Sequence, residues 1–454
     1  MKEQSNIYQK ALYLAVPMMI QNGITNAVTL VDNLMVGSLG TESMTAVSIA
    51  AQMIFVLNLG IFGGLSGPGI FAAQYFGAGD TEGVRKVFRL KWWIGLTVVA
   101  IGALVFALFG GNLIELYLHG TSEDIDPVLT HSLSLSYLHI MIASLLPFCV
   151  TQIYANSLRE TGESIRPMVA GLISVATDIL FNYLLIYGKM GLPALGVSGA
   201  AVATVIARIV EMSVLVIWTH LSVKEGSFFK GVYKTLLVPV KVALPVVMKG
   251  LPMFLNEFLW AGGMAVLTMC YSTRGLEVVA GFNISNSICN VLNVVFISLG
   301  GSVGILIGQI LGTGDYDSAK KNGIKLMWFS GFLCIFLSVI LILLAFPFPK
   351  LYNTTEEVRR LGRWIIIITA LFFPIQGFLN ALYFTLRSGG KTLITMLFDS
   401  VYTWFVVVAV AAGLCFLTPL PVLVVYVLVQ MLDLIKIAIG YFLIQKGVWL
   451  TKLS

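Results

Sequence analysis

The sequence predicts an all-α polytopic membrane protein whose twelve transmembrane helices form two parallel-repeat six-helix lobes. Composition is the first reason: 58% of the 454 residues are hydrophobic and 11% are charged, whereas soluble domains contain about 25% charged residues. The second is that twelve apolar stretches, each of about 20 residues and so long enough to cross a bilayer, are separated by turn or charge clusters. The third is that the two halves of the chain match each other.

The twelve stretches are centred near residues 25, 60, 100, 142, 177, 209, 256, 292, 335, 373, 404 and 433. The polar first ten residues resemble no cleavable signal, so the first helix is expected to stay as an anchor. Most of the 28 Lys and Arg residues fall on one side of this topology, with loop 350–363 as the main exception. The positive-inside rule therefore places both termini and the segment from Lys224 to Lys234 in the cytoplasm. We expect a multi-pass monomer in the cell membrane.

The first helix, within Ala11 to Gly40, has one polar stripe. At about 100° per residue, six polar side chains share about a third of its circumference: Asn22, Thr25, Asn26, Thr29, Asp32 and Asn33. Pro17 removes a backbone hydrogen bond and predicts a bend. Because an ionised carboxylate in hydrocarbon costs several kcal/mol, Asp32 is a functional-site candidate.

The second half of the chain repeats the first. At an offset of 235, matching positions include Pro17 with Pro252, Gln74 with Gln309, Gly77 with Gly312 and Asp80 with Asp315. Further along, the offset falls to 228 and matches Arg159 to Arg387. We predict lobes at residues 1–222 and 241–454, joined by a cytoplasmic linker at 223–240. Six helices per half make the repeats parallel, an arrangement in which transporters rock two lobes about a central site.

Several motifs in register resemble the multidrug and toxic compound extrusion (MATE) family over nearly the whole chain. They are VDNLMVGSLG at the end of helix 1, AQYFGAGD and GQILGTGD after helices 2 and 8, the LRETG and LRSGG turns, and NYLLIYG followed by LGVSGAAVAT. The resemblance implies cation-coupled export of amphiphilic, often cationic, organic compounds. It also implies alternation between outward-open and inward-open states.

The predicted cation-coupling site comprises Asp32, Asp178 and Asn182. Asp178 and Asn182 are four residues apart on helix 5 and so share a face. The prokaryotic MATE proteins that this chain resembles have an Asp at the Asp32 position, and commonly an Asn followed one turn later by an Asp on helix 5. Here that order is reversed. Burial and a second carboxylate disfavour ionisation, so the pair of aspartates is expected to take up a proton as the coupling ion. The second candidate for the coupling ion is sodium, bound at Asp32 and Asp178.

The predicted substrate cavity is lined by one carboxylate and several amides: Asn22, Asn26, Glu257, Asn283, Asn286 and Asn290. Glu257 resembles a helix 7 Glu of sodium-coupled members, but their helix 10 carboxylate is missing here, so no complete sodium site is expected in this lobe. Glu257 then faces cationic substrate or is neutral and hydrogen-bonded to a neighbouring helix. The helix 8 amides either face the cavity or bond helix to helix.

Four further features are predicted to be structural. Asp399 is expected near the membrane surface in an interfacial role. Arg208 with Glu211, and Asp433 with Lys436, are three residues apart and are expected to pair. The spacing of Gly300, Gly304 and Gly308 predicts close helix packing.

Other function classes have less support. The four histidines (His119, His131, His139 and His220) form no HExxH motif, and GxSxG and Walker A sequences are missing, so an enzyme is not expected and no cofactor is implied. The five cysteines show no CxxC spacing, and no basic domain suits nucleic acid. The alternative is a related flippase for lipid-linked saccharide, but pyrophosphate favours an arginine-rich cavity, whereas carboxylates favour cations.

Overall fold

The computed structural model describes residues 7–118, 126–223 and 225–453, apart from the Leu30 side chain. Within these ranges twelve helices are long and apolar enough to cross a membrane, and no residue is in a strand. They are α1 (Ile7–Gly37), α2 (Thr41–Gly77), α3 (Thr81–Leu118), α4 (Pro127–Glu160), α5 (Ile165–Tyr187), α6 (Val197–Leu221), α7 (Val240–Ser272), α8 (Leu276–Thr313), α9 (Tyr316–Leu344), α10 (Glu356–Ser388), α11 (Thr392–Leu417) and α12 (Val422–Lys446). The predicted fold class and number of spans are confirmed. Lys224 and His119 lie outside the described residues.

Several helix ends follow local rules of sequence. Asp126 begins α4 by accepting the backbone N–H groups of Val128 and Leu129, and Asp315 accepts the N–H of Ser318 at the start of α9. Such side chains satisfy donors that the first turn leaves unpaired. Gly188 ends α5 in the left-handed conformation, at φ 64°, which glycine adopts without steric cost.

The helices form two compact units. The N-terminal unit contains Ile20–Gly69 and Val84–Leu244; the C-terminal unit contains the chain up to Met19, Ile70–Gly83 and the chain from Pro245. Four helices, α1, α2, α3 and α7, thus contribute residues to both units; the change in α1 and α2 follows shortly after Pro17 and Pro68, and in α7 it falls at Pro245. The division of the chain at residues 223–240 rests on the repeat and stays a prediction.

Close helix contacts in the C-terminal unit depend on glycine. In its core α10 packs on α8, α9 and α12. Gly300 and Gly304 of α8 face Asn380 and Phe384 of α10, and a Cβ added at Gly300 would overlap the Asn380 amide. Small residues let helix backbones approach each other in this way, as their spacing predicts.

The chain between α6 and α7 lies along α3 in the N-terminal unit. Arg85 Nε donates to the Phe228 carbonyl (3.0 Å), Arg89 Nε to the Val232 carbonyl (2.8 Å) and Trp93 Nε1 to the Leu236 carbonyl (3.0 Å). Donors four residues apart on one face of α3 therefore meet carbonyls at the same spacing in the linker. The predicted linker is thus held to α3 at three points.

Helix α11 departs from regular α-helical geometry. It contains two π-helical segments, Leu397–Val401 and Thr403–Val408. A π turn changes which side chains face a neighbouring helix and often lies at a functional site. Asp399 lies in the first of these segments.

Candidate functional site

Asp32, Asp178 and Asn182 meet in the N-terminal unit. The Asn182 amide donates to Asp32 Oδ1 at 2.9 Å and to Asp178 Oδ2 at 3.3 Å. Asp178 is 8% exposed and Asn182 is 2% exposed, while Asp32 is half-buried. The structure thus brings together the three residues that the polar stripe of α1 and the four-residue spacing on α5 suggested.

This cluster has more hydrogen-bond acceptors than donors. Asp178 Oδ1 and Asn182 Oδ1 are buried and have no hydrogen-bond partner among the described residues. No described basic side chain lies within ion-pair distance of Asp32 or Asp178. Buried acceptors without donors are costly. A proton on one carboxyl, or a cation bound by these oxygens, would relieve the excess.

Groups on α4 and α6 surround the cluster. Tyr137 and Thr204 lie close enough to Asp178 to interact with it. Arg208 also acts on Asp178 at longer range, but its guanidinium pairs with Glu211 at 3.4 Å and stacks 4.7 Å from the Phe148 ring centroid. The predicted Arg208–Glu211 pair is confirmed, and it leaves the two carboxylates with a neutral donor.

Glu257 lies beside a basic residue in the C-terminal unit. Arg387 Nη1 is 3.9 Å from Glu257 Oε1, and both side chains are largely buried. The N-terminal unit has a related contact, in which Arg159 donates to the Gln21 amide oxygen at 2.8 Å. The arginines of the repeat-related LRETG and LRSGG turns therefore contact α1 and α7, respectively. Their partners, Gln21 and Glu257, differ by one position in the repeat alignment.

Asp399 and Lys436 form an ion pair that the sequence did not suggest. Lys436 Nζ donates to Asp399 Oδ1 at 2.8 Å, and the Asn256 amide donates to Asp399 Oδ2 at 3.0 Å. The Asp399 side chain is 15% exposed, and its place near the membrane surface stays a prediction. Asp433, which was expected to pair with Lys436, instead accepts a hydrogen bond from Gln376 at 2.5 Å. The packing of α11 on α12 gives Lys436 a closer carboxylate.

The remaining predicted cavity residues lie at helix surfaces. Asn22 is half-buried and Asn26 is exposed, as are Asn283, Asn286 and Asn290. Along the face of α8 that carries these asparagines, the observed hydrogen bonds lie within the helix. Ser287 donates to the Asn283 carbonyl, and the Asn293 amide donates to the Asn290 side chain.

Sequence reasoning also missed a buried ion pair in the N-terminal unit. Lys91, which is fully buried, donates to Glu160 and to the Ser157 hydroxyl at 2.9 Å. A Cβ added at Gly69 would collide with the Glu160 carboxylate. In the sequence, Lys91 resembles an ordinary cytoplasmic surface charge. Its partner Glu160 stands out only as part of the LRETG motif.

Together these features define a class of protein. Twelve apolar helices whose interior contains carboxylates with neutral partners are typical of membrane transport proteins, because intramembrane acids generally serve ion or substrate pathways.

Comparison with known proteins identifies the family. The sequence model of the MatE family matches residues 17–184 and 252–412. A relative named probable multidrug resistance protein YoeA, from Bacillus subtilis, is 26% identical over 94% of this chain and 91% of its own length. Another, named probable multidrug resistance protein NorM, from Thermotoga maritima, is 23% identical over 89% of this chain and 84% of its own.

Solved structures share the fold. A mutant of the Vibrio cholerae MATE transporter VcmN has a TM-score of 0.86, with 18% identity over 99% of this chain and 98% of that one. An outward-facing multidrug resistance MATE transporter has a TM-score of 0.84, with 18% identity over 98% and 97% of the two chains. The protein belongs to the MATE family of multidrug efflux transporters and is not an enzyme.

Proposed function

We propose that the protein is a secondary antiporter that exports amphiphilic organic compounds, above all cations, in exchange for a proton bound at Asp32, Asp178 and Asn182. Sodium is the second candidate for the coupling ion. Transport proceeds by alternating access in the cell membrane, with both termini in the cytoplasm, and the working unit is a monomer.

The acceptor excess at Asp178 Oδ1 and Asn182 Oδ1 is the observation on which this proposal depends. One proton converts a carboxylate acceptor into a donor and removes a buried charge. Uptake and release of that proton would therefore change the balance of contacts between α1 and α5, since Asn182 contacts Asp32 across these helices. A ligand that binds two conformations unequally shifts the population between them.

The membrane potential helps to drive export when the exchange moves net charge; exchange of one proton for one monovalent cation is electroneutral and depends on the proton gradient instead. A membrane potential of about 100 mV contributes about 2.3 kcal/mol for each elementary charge that crosses. This energy supports accumulation of about 50-fold when one net charge is exchanged. Proton or sodium gradients add to it.

Organic cations suit the polar groups better than anions do. Exposed asparagines on α8 and a carboxylate at Glu257 supply acceptors, and amide groups contact many ligands with little specificity. A flippase for a pyrophosphate-linked lipid would need several basic groups free to bind phosphate. The basic side chains Arg387, Lys436 and Arg208 are instead paired with carboxylates, and Arg159 is bound to the Gln21 amide oxygen.

Everted membrane vesicles test the proposal directly. Ethidium uptake is measured with an imposed proton gradient and no sodium, and separately with an imposed sodium gradient at equal pH on both sides. We expect the proton gradient alone to drive uptake, and Asp32→Asn to abolish it.

Asp126→Asn is the matched control. Asp126 caps α4 outside the apolar stretch, and Asn caps a helix about as well as Asp, so this variant should transport as wild type does. Uptake driven by sodium alone would assign sodium as the coupling ion. Wild-type rates in Asp32→Asn under both gradients would refute coupling at this site.

A further inference from the structure

The charged groups in the membrane-spanning part of the C-terminal unit are mostly neutralised in pairs. Arg387 pairs with Glu257 (3.9 Å) and Lys436 pairs with Asp399 (2.8 Å). The Lys436 ammonium also lies 5.4 Å from the Phe398 ring centroid and 5.9 Å from that of Tyr402. Lys436 also acts on Asp433 at longer range, but the ion pairs of both cations are with other carboxylates.

Asp433 is a carboxylate of the same region that forms no ion pair among the described residues. Its described hydrogen bond comes from the neutral amide of Gln376 on α10, at 2.5 Å. No described basic side chain lies within ion-pair distance of it, although Lys436 is only one turn away. The side chain is half-buried. An intramembrane acid with a neutral partner is by default a candidate for binding a cation.

Tyr426 lies on the same face of α12 as Asp433 and contacts aromatic rings of α7 and α8. Tyr426, Gln430 and Asp433 are spaced i, i+4 and i+7 and share that face. The Tyr426 ring makes edge contacts with Tyr271 (5.7 Å between centroids) and Phe282 (5.2 Å). Its hydroxyl bonds to Thr369 at 2.9 Å and accepts from Gln430 at 3.2 Å.

One polar atom in this group has no partner. Tyr271 is 4% exposed, and its hydroxyl makes no hydrogen bond among the described residues. Its ring contacts that of Tyr426, which lies two turns before Asp433 on α12 and accepts a hydrogen bond from Gln430 between them. An unpartnered buried hydroxyl near an unpaired carboxylate indicates a place where a ligand completes the contacts.

We propose that Asp433, Gln376 and the Tyr426–Tyr271–Phe282 group form a binding site for the positively charged centre of an organic cation. The carboxylate supplies the counter-charge, and the Tyr426 ring supplies the attraction that quaternary cations find at a π face, while Tyr271 and Phe282, stacked on each other at 4.9 Å, hold that ring in place. An inorganic ion fits less well, because such ions require several oxygen ligands and Gln376 presents its N–H to the carboxylate. This inference rests on the proposed function and specifies a substrate site for it.

Tetraphenylphosphonium is the probe, and its binding to the purified full-length protein in detergent is measured by equilibrium dialysis. Asp433→Asn should weaken binding by at least about tenfold, because it removes the counter-charge from a partly desolvated pair. Asp315→Asn, at the exposed cap of α9, is the control and should bind as wild type does. Tyr426→Leu should weaken binding several-fold, and Tyr426→Phe, which keeps the ring, should weaken it less.

Thermal unfolding and gel filtration show whether each variant is folded. If Asp433→Asn does not yield folded protein, the comparison of Tyr426→Leu with Tyr426→Phe decides alone, and equal affinities in those two would overturn the site. Equal affinity in folded Asp433→Asn and wild type would overturn it too.

Failure of this site and failure of the proposed function give different results. If wild-type protein neither binds nor exports tetraphenylphosphonium, the proposed export of organic cations is itself wrong. If wild type binds and exports the probe while Asp433→Asn binds it equally well, the function stands and the site lies elsewhere. Full binding with lost ion coupling in Asp433→Asn would make Asp433 a coupling residue and overturn the inference.

Discussion

Gly77 on α2 and Gly312 on α8 occupy matching positions of the repeat, and each packs against the backbone of the other's helix. A Cβ at Gly77 would collide with the Gln309 carbonyl, and a Cβ at Gly312 with the Gln74 carbonyl. Both contacts lie within the C-terminal unit. The glycines of AQYFGAGD and GQILGTGD thus form one reciprocal crossing of two repeat-related helices.

Alanine at either glycine should destabilise the protein. The added methyl group would force the two backbones apart, and overpacking of this kind costs about 1–3 kcal/mol. Thermal unfolding of purified Gly77→Ala and Gly312→Ala measures the loss. Gly413→Ala is the control, since nothing lies within 4 Å of a Cβ there, and alanine favours the helix. Unchanged melting in both crossing variants would show that the contact is looser than described.

The Asp399–Lys436 pair should be strongly coupled. Lys436→Met leaves Asp399 with the Asn256 amide as its remaining described donor, and loss of one partner of a buried pair costs about 3–5 kcal/mol. The double variant Asp399→Asn with Lys436→Met should recover much of that loss, because no uncompensated charge remains. Lys446→Met, at the exposed end of α12, should change unfolding little. Additive losses in the double variant would contradict the pairing.

Glu257→Gln should change the range of exported compounds more than ion coupling. Its nearest charged partner is Arg387 at 3.9 Å. The other carboxylate that acts on it, Asp399, is paired with Lys436 at 2.8 Å, so no free second carboxylate is left to hold a bare ion. The measurement compares efflux of several dyes under one fixed gradient. A uniform loss for every dye, together with loss of a sodium dependence, would assign Glu257 to coupling instead.

Local features of this chain were predictable and long-range ones were not. Each predicted span centre lies inside its helix, because length and hydropathy are local properties. Asp178 and Asn182 could be paired from their spacing, and Asp32 was marked by the polar stripe of α1. The Glu257–Arg387 and Asp399–Lys436 pairs depend on the rotation and packing of separate helices, which composition does not encode. No local sequence pattern marks the π segments of α11.

Cysteine labelling tests the predicted orientation of the linker. Leu237 follows α6 and is 79% exposed, whereas Val232 is buried and would be unsuitable. The control is Leu276, which is 84% exposed at the start of α8, on the side predicted to be external. All five native cysteines are buried, so background labelling should be low. An impermeant maleimide added to intact cells should label Leu276→Cys but leave Leu237→Cys unlabelled; the opposite result would reverse the topology.

The final prediction concerns the order of Asp178 and Asn182 on α5. Asn182 contacts both carboxylates, so Asp178→Asn should cost about 1.5 kcal/mol of charge-assisted hydrogen bonding and slow ethidium efflux by about tenfold. Adding Asn182→Asp to that variant restores two carboxylates and one amide on the same face of α5, now in the order common in the prokaryotic relatives. The introduced carboxylate would lie beside Asp32, and the amide would lie one turn earlier. We therefore expect the double variant to recover most of the efflux that Asp178→Asn loses, in cells with matched expression. A double variant as slow as Asp178→Asn would show that the order of the two residues, and not only their number and spacing, sets the geometry of ion binding.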